Sequence, residues 1–190
     1  MKILLVVDGS AYSDTAAKKL EALELPATTE VTILTVVPEA TFLGGITLDV
    51  IRGTNQARQK AKDEQQQKAL ELLQRIAQAL GGGKLKLETS VRWGNPVEEI
   101  LVEAEEGNAS LIVMGAKGLT DSLSFRLGSV ALKIMKYANA SVLLGRPNST
   151  IVSQESRRKG KTATPSRVLL ATDGSRGLTQ EDFVPARNRG

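Results

Sequence analysis

The chain of 190 residues contains no histidine and no cysteine. Without cysteine it forms no disulfide, and it offers no thiolate to a metal ion or a substrate. Without histidine it lacks the most common general base and the most common transition-metal ligand. These absences exclude a Ser-His-Asp triad, a Cys-His pair and an ordinary zinc site, so we expect binding rather than demanding catalysis.

Aromatic residues and long hydrophobic runs are also scarce. Phe, Trp and Tyr make up 3% of the chain, so the core must consist of Leu, Ile, Val and Ala. No apolar run approaches the roughly 20 residues that span a bilayer. The apolar run after Lys2 ends at Asp8, which argues against a signal peptide. We therefore expect a cytoplasmic protein without a membrane segment.

The net charge of +4 arises from one short segment. Between residues 146 and 167 the only acid is Glu155, and the cations are Arg146, Arg157, Arg158, Lys159, Lys161 and Arg167. This segment carries a charge of +5, so the rest of the chain is close to neutral. Charge runs of this kind are usually solvated linkers, and no aromatic residues are interleaved for stacking on bases. We expect no binding to nucleic acid.

Strand and helix patterns alternate through the first 146 residues. The predicted strands are short apolar or alternating runs at Lys2–Val7, Glu30–Val37, Lys84–Arg92, Ser110–Met114 and Ser141–Leu144. The first predicted helix begins after Ser10 or Ser13. Three further helices are predicted over Asn55–Leu80, Val97–Glu105 and Ser129–Tyr137. Such alternation predicts an α/β fold, a doubly wound five-stranded parallel sheet with helices on both faces.

Two of these elements have distinctive patterns. The third strand alternates apolar and polar residues, which is typical of an edge strand with one exposed face. The long helix carries an apolar stripe that includes Ala57, Ala61 and Leu73, but its middle, Lys62–Lys68, is polar nearly all round. We expect that middle part to face water.

The end of the chain repeats its beginning. Residues Ser166–Ser175 match Met1–Ser10 at five of ten positions, including the Asp-Gly-Ser turn. Residues 1–146 would then be one domain, 147–165 a basic Ser-rich linker, and 166–190 a fragment of a second copy. A lone strand cannot bury a core, so we expect this fragment not to fold independently.

Two loops carry residues suited to a ligand. One is Asp8-Gly9-Ser10 after the first strand, and the other begins at Gly115 and Gly118 and continues to Gly128 and Ser129. Glycines let backbone amides approach phosphate oxygens, and a helix that begins at Ser129 directs its N–H groups toward an anion. Asp8 repels bare phosphate, so its natural partners are a ribose hydroxyl or a magnesium ion that bridges phosphates.

Each of these features has a simpler interpretation when taken alone. A loop glycine usually serves turn geometry, Asp8 alone is more often a turn residue, and Ser129 alone is more often a helix cap. The chain has neither Gly-x4-Gly-Lys-Ser/Thr nor Gly-x-Gly-x-x-Gly. P-loop hydrolysis and ordinary dinucleotide binding are therefore not supported.

In combination, the motifs resemble the universal stress protein family. The pattern Gly115-x2-Gly118-x9-Gly128-Ser129 matches that family's ATP-binding signature, and the first strand with its Asp-Gly-Ser turn matches the family's usual start. The segments Gly94–Ile100 and Ala140–Leu144 are similar as well. The likeness covers residues 1 to about 146.

The resemblance implies a sheet of order 3-2-1-4-5 and a homodimer formed through the last strand, Ser141–Leu144. It implies that ATP and magnesium are bound, with Asp8 at the ribose or the metal and Val36 holding adenine with its backbone. The residues that it places around the phosphates are Gly115, Gly118, Gly128 and Ser129, with Met114 and Val130 beside them.

Three functions follow from these observations. The first is an ATP-binding regulatory protein that senses stress or energy state. The second is a slow ATPase, in which Asp8 or Asp121 would orient water. The third is a nucleotide-free interaction module. Lys117 and Arg126 also lie in the second loop, where they either neutralise phosphate charge or are simply solvated.

Overall fold

The computed structural model describes residues 1–38, 55–80, 85–119 and 127–147, with side chains from residue 59 onward in the long helix. The predicted linker and the fragment of a second copy lie outside these residues. So do Arg126 and Asp121, which the sequence singled out.

The described residues contain one parallel sheet of five strands. Its strands are β1 (Lys2–Val6), β2 (Glu30–Val37), β3 (Lys86–Trp93), β4 (Leu111–Gly115) and β5 (Ser141–Gly145). Their order across the sheet is β3-β2-β1-β4-β5, and every neighbouring pair is parallel. The predicted fold class and strand order are therefore confirmed. β3 begins two residues later than predicted and includes Trp93, because the Gly94 N–H still donates to the Val37 carbonyl at 3.1 Å.

Four helices connect the strands in the described part of the chain. They are α1 (Ala11–Glu21), α2 (Asn55–Leu80), α3 (Pro96–Glu106) and α4 (Ser129–Tyr137). The cap of α1 is Ser10 rather than Ser13, since the Ser10 hydroxyl accepts from the Ser13 N–H at 3.2 Å. Asn95 caps α3 by accepting from the Val97 N–H at 3.0 Å. A cap of this kind satisfies an N–H group that the helix itself leaves unbonded.

Both faces of the sheet are buried, each under two helices. On one face α1 and α2 cover a cluster that includes Ile3, Leu5, Val7, Leu20, Ile33, Leu73 and Ile76. On the other face α3 and α4 cover a cluster that includes Leu4, Val6, Leu34, Ile100, Ile112, Met114 and Ile134. Alternate residues of β1 point to opposite faces, which explains why that strand is apolar throughout.

Helix α2 extends beyond the sheet. At 1.5 Å per residue its 26 residues span about 39 Å, whereas the eight residues of β2 span about 26 Å. The buried apolar stripe of α2 begins only at Ala69. Ala61 is exposed, so the predicted stripe is wrong for the first half of the helix. The predicted Ala57 contact lies outside the described side chains. The polar middle of the helix is exposed, as expected.

A single arginine joins β3 to α3. The guanidinium of Arg92 contacts the carboxylates of Glu99, Glu103 and Glu106, which lie along one side of the helix. The hydrogen bond to Glu103 raises the pKa of Arg92, so this cation stays charged throughout the accessible pH range. The edge strand is thereby held to the helix that crosses behind it.

Candidate functional site

The two candidate loops leave adjacent strands. β1 and β4 pair directly, with Leu5 opposite Val113 and Val6 opposite Met114. Parallel strands end at the same edge of a sheet, so Asp8 and Gly115 emerge side by side. The strands that follow β1 in the chain, β2 and β3, lie on one side of it, and β4 and β5 lie on the other. The strand order therefore reverses between β1 and β4.

The two loops converge at Asp8 and Gly118. A Cβ atom built on Gly118 would lie 3.0 Å from Oδ2 of Asp8. The other oxygen, Oδ1, accepts from the Ser10 N–H at 3.0 Å. The carboxylate is exposed, so one of its oxygens holds the turn while the other faces Gly118.

Gly9 and Ser10 shape the turn that carries Asp8. Gly9 has φ of +78°, a left-handed conformation that residues with a Cβ rarely adopt. Ser10 is 6% exposed, and its hydroxyl is engaged with the Ser13 N–H as the cap of α1. The sequence predicted both residues as ligand contacts, and the structure gives each of them a part in positioning Asp8.

Gly115 is a glycine because helix α1 passes close to it. A Cβ at Gly115 would lie 2.9 Å from Cβ of Tyr12 and 3.0 Å from the backbone nitrogen of Ser13. Real Cβ contacts essentially never fall below 3.0 Å. The Gly115 position is therefore dictated by packing against α1, in addition to any role beside a phosphate.

In the second loop Gly118 is half-buried and Gly128 is buried. We use "glycine loop" for Gly115–Gly118 together with Gly128 and Ser129. The Gly128 N–H donates to the Ala116 carbonyl at 2.9 Å, which draws the two ends of the loop together. A Cβ at Gly128 would lie 3.2 Å from Cα of Lys117, a tight contact that a glycine avoids.

The glycine loop leads directly into α4. Gly128 occupies the N-cap position, and none of the described side chains caps this helix end. Ser129 is the first helical residue and is exposed. Uncapped N–H groups in the first turn of a nine-residue helix favour an anion at this position.

The three predicted apolar site residues differ in accessibility. Met114 is 5% exposed and packs in the core under α3 and α4, so its side chain is not available to a ligand. Val36 and Val130 are half-buried beside the same core. Val6 pairs with Leu34, so Val36 lies two residues further along, level with Asp8. The structure brings Val36 to the site edge and assigns Met114 to the core.

Lys117 is buried, which argues against one of the two roles considered for it, that of a solvated loop cation. Its side chain is 5% exposed. The residue lies between the close contacts at Gly115 and Gly128, where the loop folds back on itself. The sequence contained no signal for this burial, because it results from the approach of residues that are distant in the chain.

Sequence reasoning also missed Ala116 and Gly145. The Ala116 N–H donates to the Gly145 carbonyl at 2.9 Å, next to the Gly128 N–H bond to the Ala116 carbonyl. A Cβ at Gly145 would lie 2.4 Å from the backbone nitrogen of Ala16. The only available signal was a glycine directly after the fifth predicted strand.

Within the described ranges, no three or more acidic, histidine or cysteine side chains are grouped to hold a metal ion. Asp8 is the one carboxylate that the sequence and the geometry both bring to the glycine loop. In the same ranges, no helix combines the length and the apolar character that crossing a membrane requires.

Comparisons with known proteins agree on one family. The universal stress protein family model matches residues 1–146, which contain all five strands described above. Universal stress protein YxiE of Bacillus subtilis is 29% identical over 148 residues, 76% of this chain and 98% of that protein. Universal stress protein MJ0531 of Methanocaldococcus jannaschii is 33% identical over 143 residues, 75% of this chain and 80% of that protein. The solved structure of MJ0577 from the same organism has a TM-score of 0.66 at 28% identity, covering 78% of this chain and 97% of that one.

Proposed function

This chain belongs to the universal stress protein family, and from that membership and its loop geometry we propose that it is a cytoplasmic, ATP-binding regulatory protein of the stress response. ATP lies between the Asp8 turn and the glycine loop. We place binding before turnover, because the chain lacks histidine, the most common general base, and this site assigns the Asp8 carboxylate to the ligand.

The observation that carries this proposal is the contact between Asp8 and Gly118. The two residues belong to different loops, yet Oδ2 of Asp8 lies 3.0 Å from the Cβ position of Gly118. A carboxylate beside a glycine-lined backbone, at the edge where the strand order reverses, is the arrangement that nucleotide sites in open α/β sheets use. Neither loop alone would support it.

The phosphates are expected at the start of α4. Backbone N–H groups of Ser129 and Val130 point out of the first turn, and the helix dipole favours negative charge there. Gly118 leaves room for the phosphate chain, since its Cβ position meets only the end of the Asp8 side chain.

Magnesium fits this donor set as part of the nucleotide. Mg²⁺ is commonly bound by one or two carboxylates together with phosphate oxygens and water. Asp8 supplies one carboxylate, and its Oδ2 is the oxygen that is not engaged with Ser10. The ion would neutralise phosphate charge beside Asp8, and the residues of this chain position the ligand.

The base is expected beside the carboxyl end of β2. Val36 is half-buried and level with Asp8, so its backbone is near enough to hold adenine. Proteins of the same fold hold nucleotides: a universal stress protein was solved in complex with cAMP, at 22% identity, and an Arabidopsis thaliana family member with AMP bound, at 14%. These ligands share adenine, ribose and the α-phosphate with ATP.

Calorimetric titration of the full chain with ATP and magnesium tests the proposal. We expect saturable binding that weakens at least about tenfold in Asp8→Asn, equivalent to about 1.4 kcal/mol. Glu105→Gln is the matched control, because it removes one exposed carboxylate from α3 without a described partner. Absence of ATP binding, or equal affinity in all three proteins, would contradict the site.

We further propose a homodimer through β5. Among the described strands β5 lies at the sheet edge and pairs only with β4. The neighbouring helix α4 exposes Leu132, Met135 and Tyr137 at 51%, 51% and 56%. An unpaired edge beside exposed apolar side chains favours pairing with another strand.

Sedimentation velocity tests this interface. Met135→Glu is expected to shift the protein toward monomer, because it introduces a charge at an exposed apolar position. Lys133→Glu is the control on the same helix, also at an exposed position. A dimer that both variants leave unchanged would require a different interface.

A further inference from the structure

The carboxyl ends of β2 and β3 form one edge beside the proposed base position. Val36 is paired with Arg92 on the neighbouring strand. One residue further on, the Gly94 N–H donates to the Val37 carbonyl at 3.1 Å. Val36 packs beside the core under α3 and α4, and Arg92 contacts α3 itself, so both side chains lie on the same face of the sheet. The start of α3 therefore lies over this edge.

A purine base held at β2 projects toward β3. The proposed site puts the ribose beside Asp8, after β1, and the base beside the backbone of Val36 on β2. The strands lie in the order β3-β2-β1 and neighbours are about 4.8 Å apart, so β3 is about 10 Å from β1. The substituent at C6 of a purine belongs to the six-membered ring, on the side of the base away from the ribose. That substituent is the part of the ligand that comes nearest to the end of β3.

One carboxylate lies at the end of β3. A Cβ built on Gly94 would lie 2.9 Å from Oε1 of Glu99, so this oxygen lies over the turn by which the chain passes from β3 to α3. The other oxygen, Oε2, lies 3.5 Å from Nη1 of Arg92, the longest of that arginine's three carboxylate contacts. The Glu99 side chain is 26% exposed, and among the described residues nothing donates to its Oε1. This oxygen is therefore available to a ligand.

The charge around Glu99 favours a hydrogen-bond donor. Arg92 contacts three carboxylates, those of Glu99, Glu103 and Glu106, so one cation is shared among three anions. A carboxylate only accepts hydrogen bonds, and bonds to an ionised acceptor are stronger than bonds between neutral groups. The cap of α3 is Asn95, so the helix does not require Glu99 to accept from its first turn. Oε1 of Glu99 is thus suited to an N–H group of a ligand.

We propose that Glu99 selects the base of the bound nucleotide, with its Oε1 accepting a hydrogen bond from the exocyclic amine at C6 of adenine. This inference rests on the proposed ATP site and adds to it a residue that reads the base. Backbone contacts at Val36 hold the base, whereas the carboxylate distinguishes a purine with an amine at C6 from a purine without one. An analogue that lacks the donor binds more weakly, because the acceptor in the site is left unpaired.

Calorimetric titration of the full chain with two nucleotides tests the selection. The probes are ATP and purine riboside triphosphate, which carries a hydrogen atom in place of the amine at C6, each with magnesium. We expect the unmodified chain to bind ATP about tenfold more tightly, the discrimination that one hydrogen bond to an ionised group supplies. Equal affinity for the two nucleotides would overturn the inference. Absence of ATP binding would instead be failure of the proposed site itself.

Two variants test whether the selection depends on this one carboxylate. In Glu99→Ala the preference for ATP should fall to about twofold or less, since the acceptor is gone. Glu106→Ala is the matched control, because it removes another carboxylate partner of Arg92, further along α3 and 64% exposed, and it should keep the parental preference.

The ratio of the two affinities is insensitive to the folding of a variant. Both nucleotides are titrated into the same preparation, so an unfolded fraction lowers the number of sites equally for each. A preference that persists in Glu99→Ala would show that another group reads the base. A preference lost equally in Glu106→Ala would show that the network around Arg92, rather than a contact of Glu99 with the base, sets the selection.

Discussion

Oδ2 of Asp8 lies 3.0 Å from the place where a side chain on Gly118 would begin. Asp8 and Gly118, which lie in loops far apart in the sequence, therefore limit each other's space. Asp8 needs an open neighbour to keep its carboxylate at the loop, and Gly118 can accept bulk only by displacing that carboxylate. Asp8 is exposed and Gly118 is half-buried, so neither residue belongs to the hydrophobic core.

The first prediction is that Gly118→Ala separates binding from folding. The added methyl meets only the flexible end of the Asp8 side chain, so the melting temperature should remain close to that of the parent. ATP affinity should fall about tenfold, because the carboxylate is pushed from its position. Calorimetry and a thermal melt on one sample measure both. Gly115→Ala, which collides with the backbone of α1, is expected to lower the melting temperature instead.

The second prediction concerns Gly145. A Cβ there would stand 2.4 Å from the nitrogen and 2.5 Å from the Cα of Ala16, and helix backbone cannot move aside cheaply. Gly145→Ala should therefore cost about 3 kcal/mol of unfolding free energy, at the upper end of the usual overpacking range. Urea denaturation measures it, with Ser141→Ala as an exposed control on the same strand. A Gly145→Ala protein of parental stability would disprove the contact.

The third prediction is that Thr29→Val stabilises the protein. Thr29 is 0% exposed, and in the described ranges its hydroxyl has no hydrogen-bond partner. Replacing an unsatisfied buried hydroxyl by a methyl of similar volume should add about 1 kcal/mol. The measurement is the unfolding free energy from denaturant titration, with an unchanged dependence on denaturant concentration. A loss of stability would indicate that the hydroxyl is satisfied after all.

The fourth prediction is that the stability contributed by the ion pair of Glu30 and Lys86 depends on pH. The hydrogen bond from Lys86 lowers the pKa of Glu30 below 4.5 and the same bond raises the pKa of Lys86. A carboxylate with a lowered pKa contributes stability above its unfolded value, and that contribution is lost as pH falls through the folded value. Lys86→Met should thus be less stable than the parent near neutral pH.

The difference in unfolding free energy between the parent and Lys86→Met should then shrink as pH falls below 4.5, because Glu30 becomes protonated there. Urea unfolding at several pH values measures it. The pair is exposed, so added salt should reduce the effect at neutral pH as well. A difference that grows toward acid pH would mean that Lys86 acts through some other group.

The architecture followed from local patterns. Apolar runs such as Lys2–Val7 and the helical stripes between them predicted the five parallel strands, and the glycine motif predicted the strand order through the family resemblance. The convergence of Asp8 and Gly118 also followed, because neighbouring parallel strands place their loops at one edge. The strands and helices depend on periodicity, which a sequence carries directly, whereas the strand order, and with it the adjacency of the two loops, came from the family resemblance.

The finer assignments depended on tertiary packing and were harder to predict. The family resemblance placed Met114 beside the phosphates, but the approach of α3 and α4 buries its side chain in the core. Lys117 is buried by the return of the loop at Gly128, and Ala61 is exposed because α2 is longer than the strand β2 beneath it. In each case the outcome is decided by residues far away in the chain, which no local pattern records.

Ser10 caps the N-terminus of α1 with its hydroxyl. Its backbone N–H also donates to the Asp8 carboxylate and holds it in the turn. Warming that frays the beginning of α1 would therefore release Asp8 while the five strands are still intact. Recognition of a ligand by this protein should consequently fade at temperatures below its melting point, and the gap between the two temperatures would measure how firmly one serine is seated.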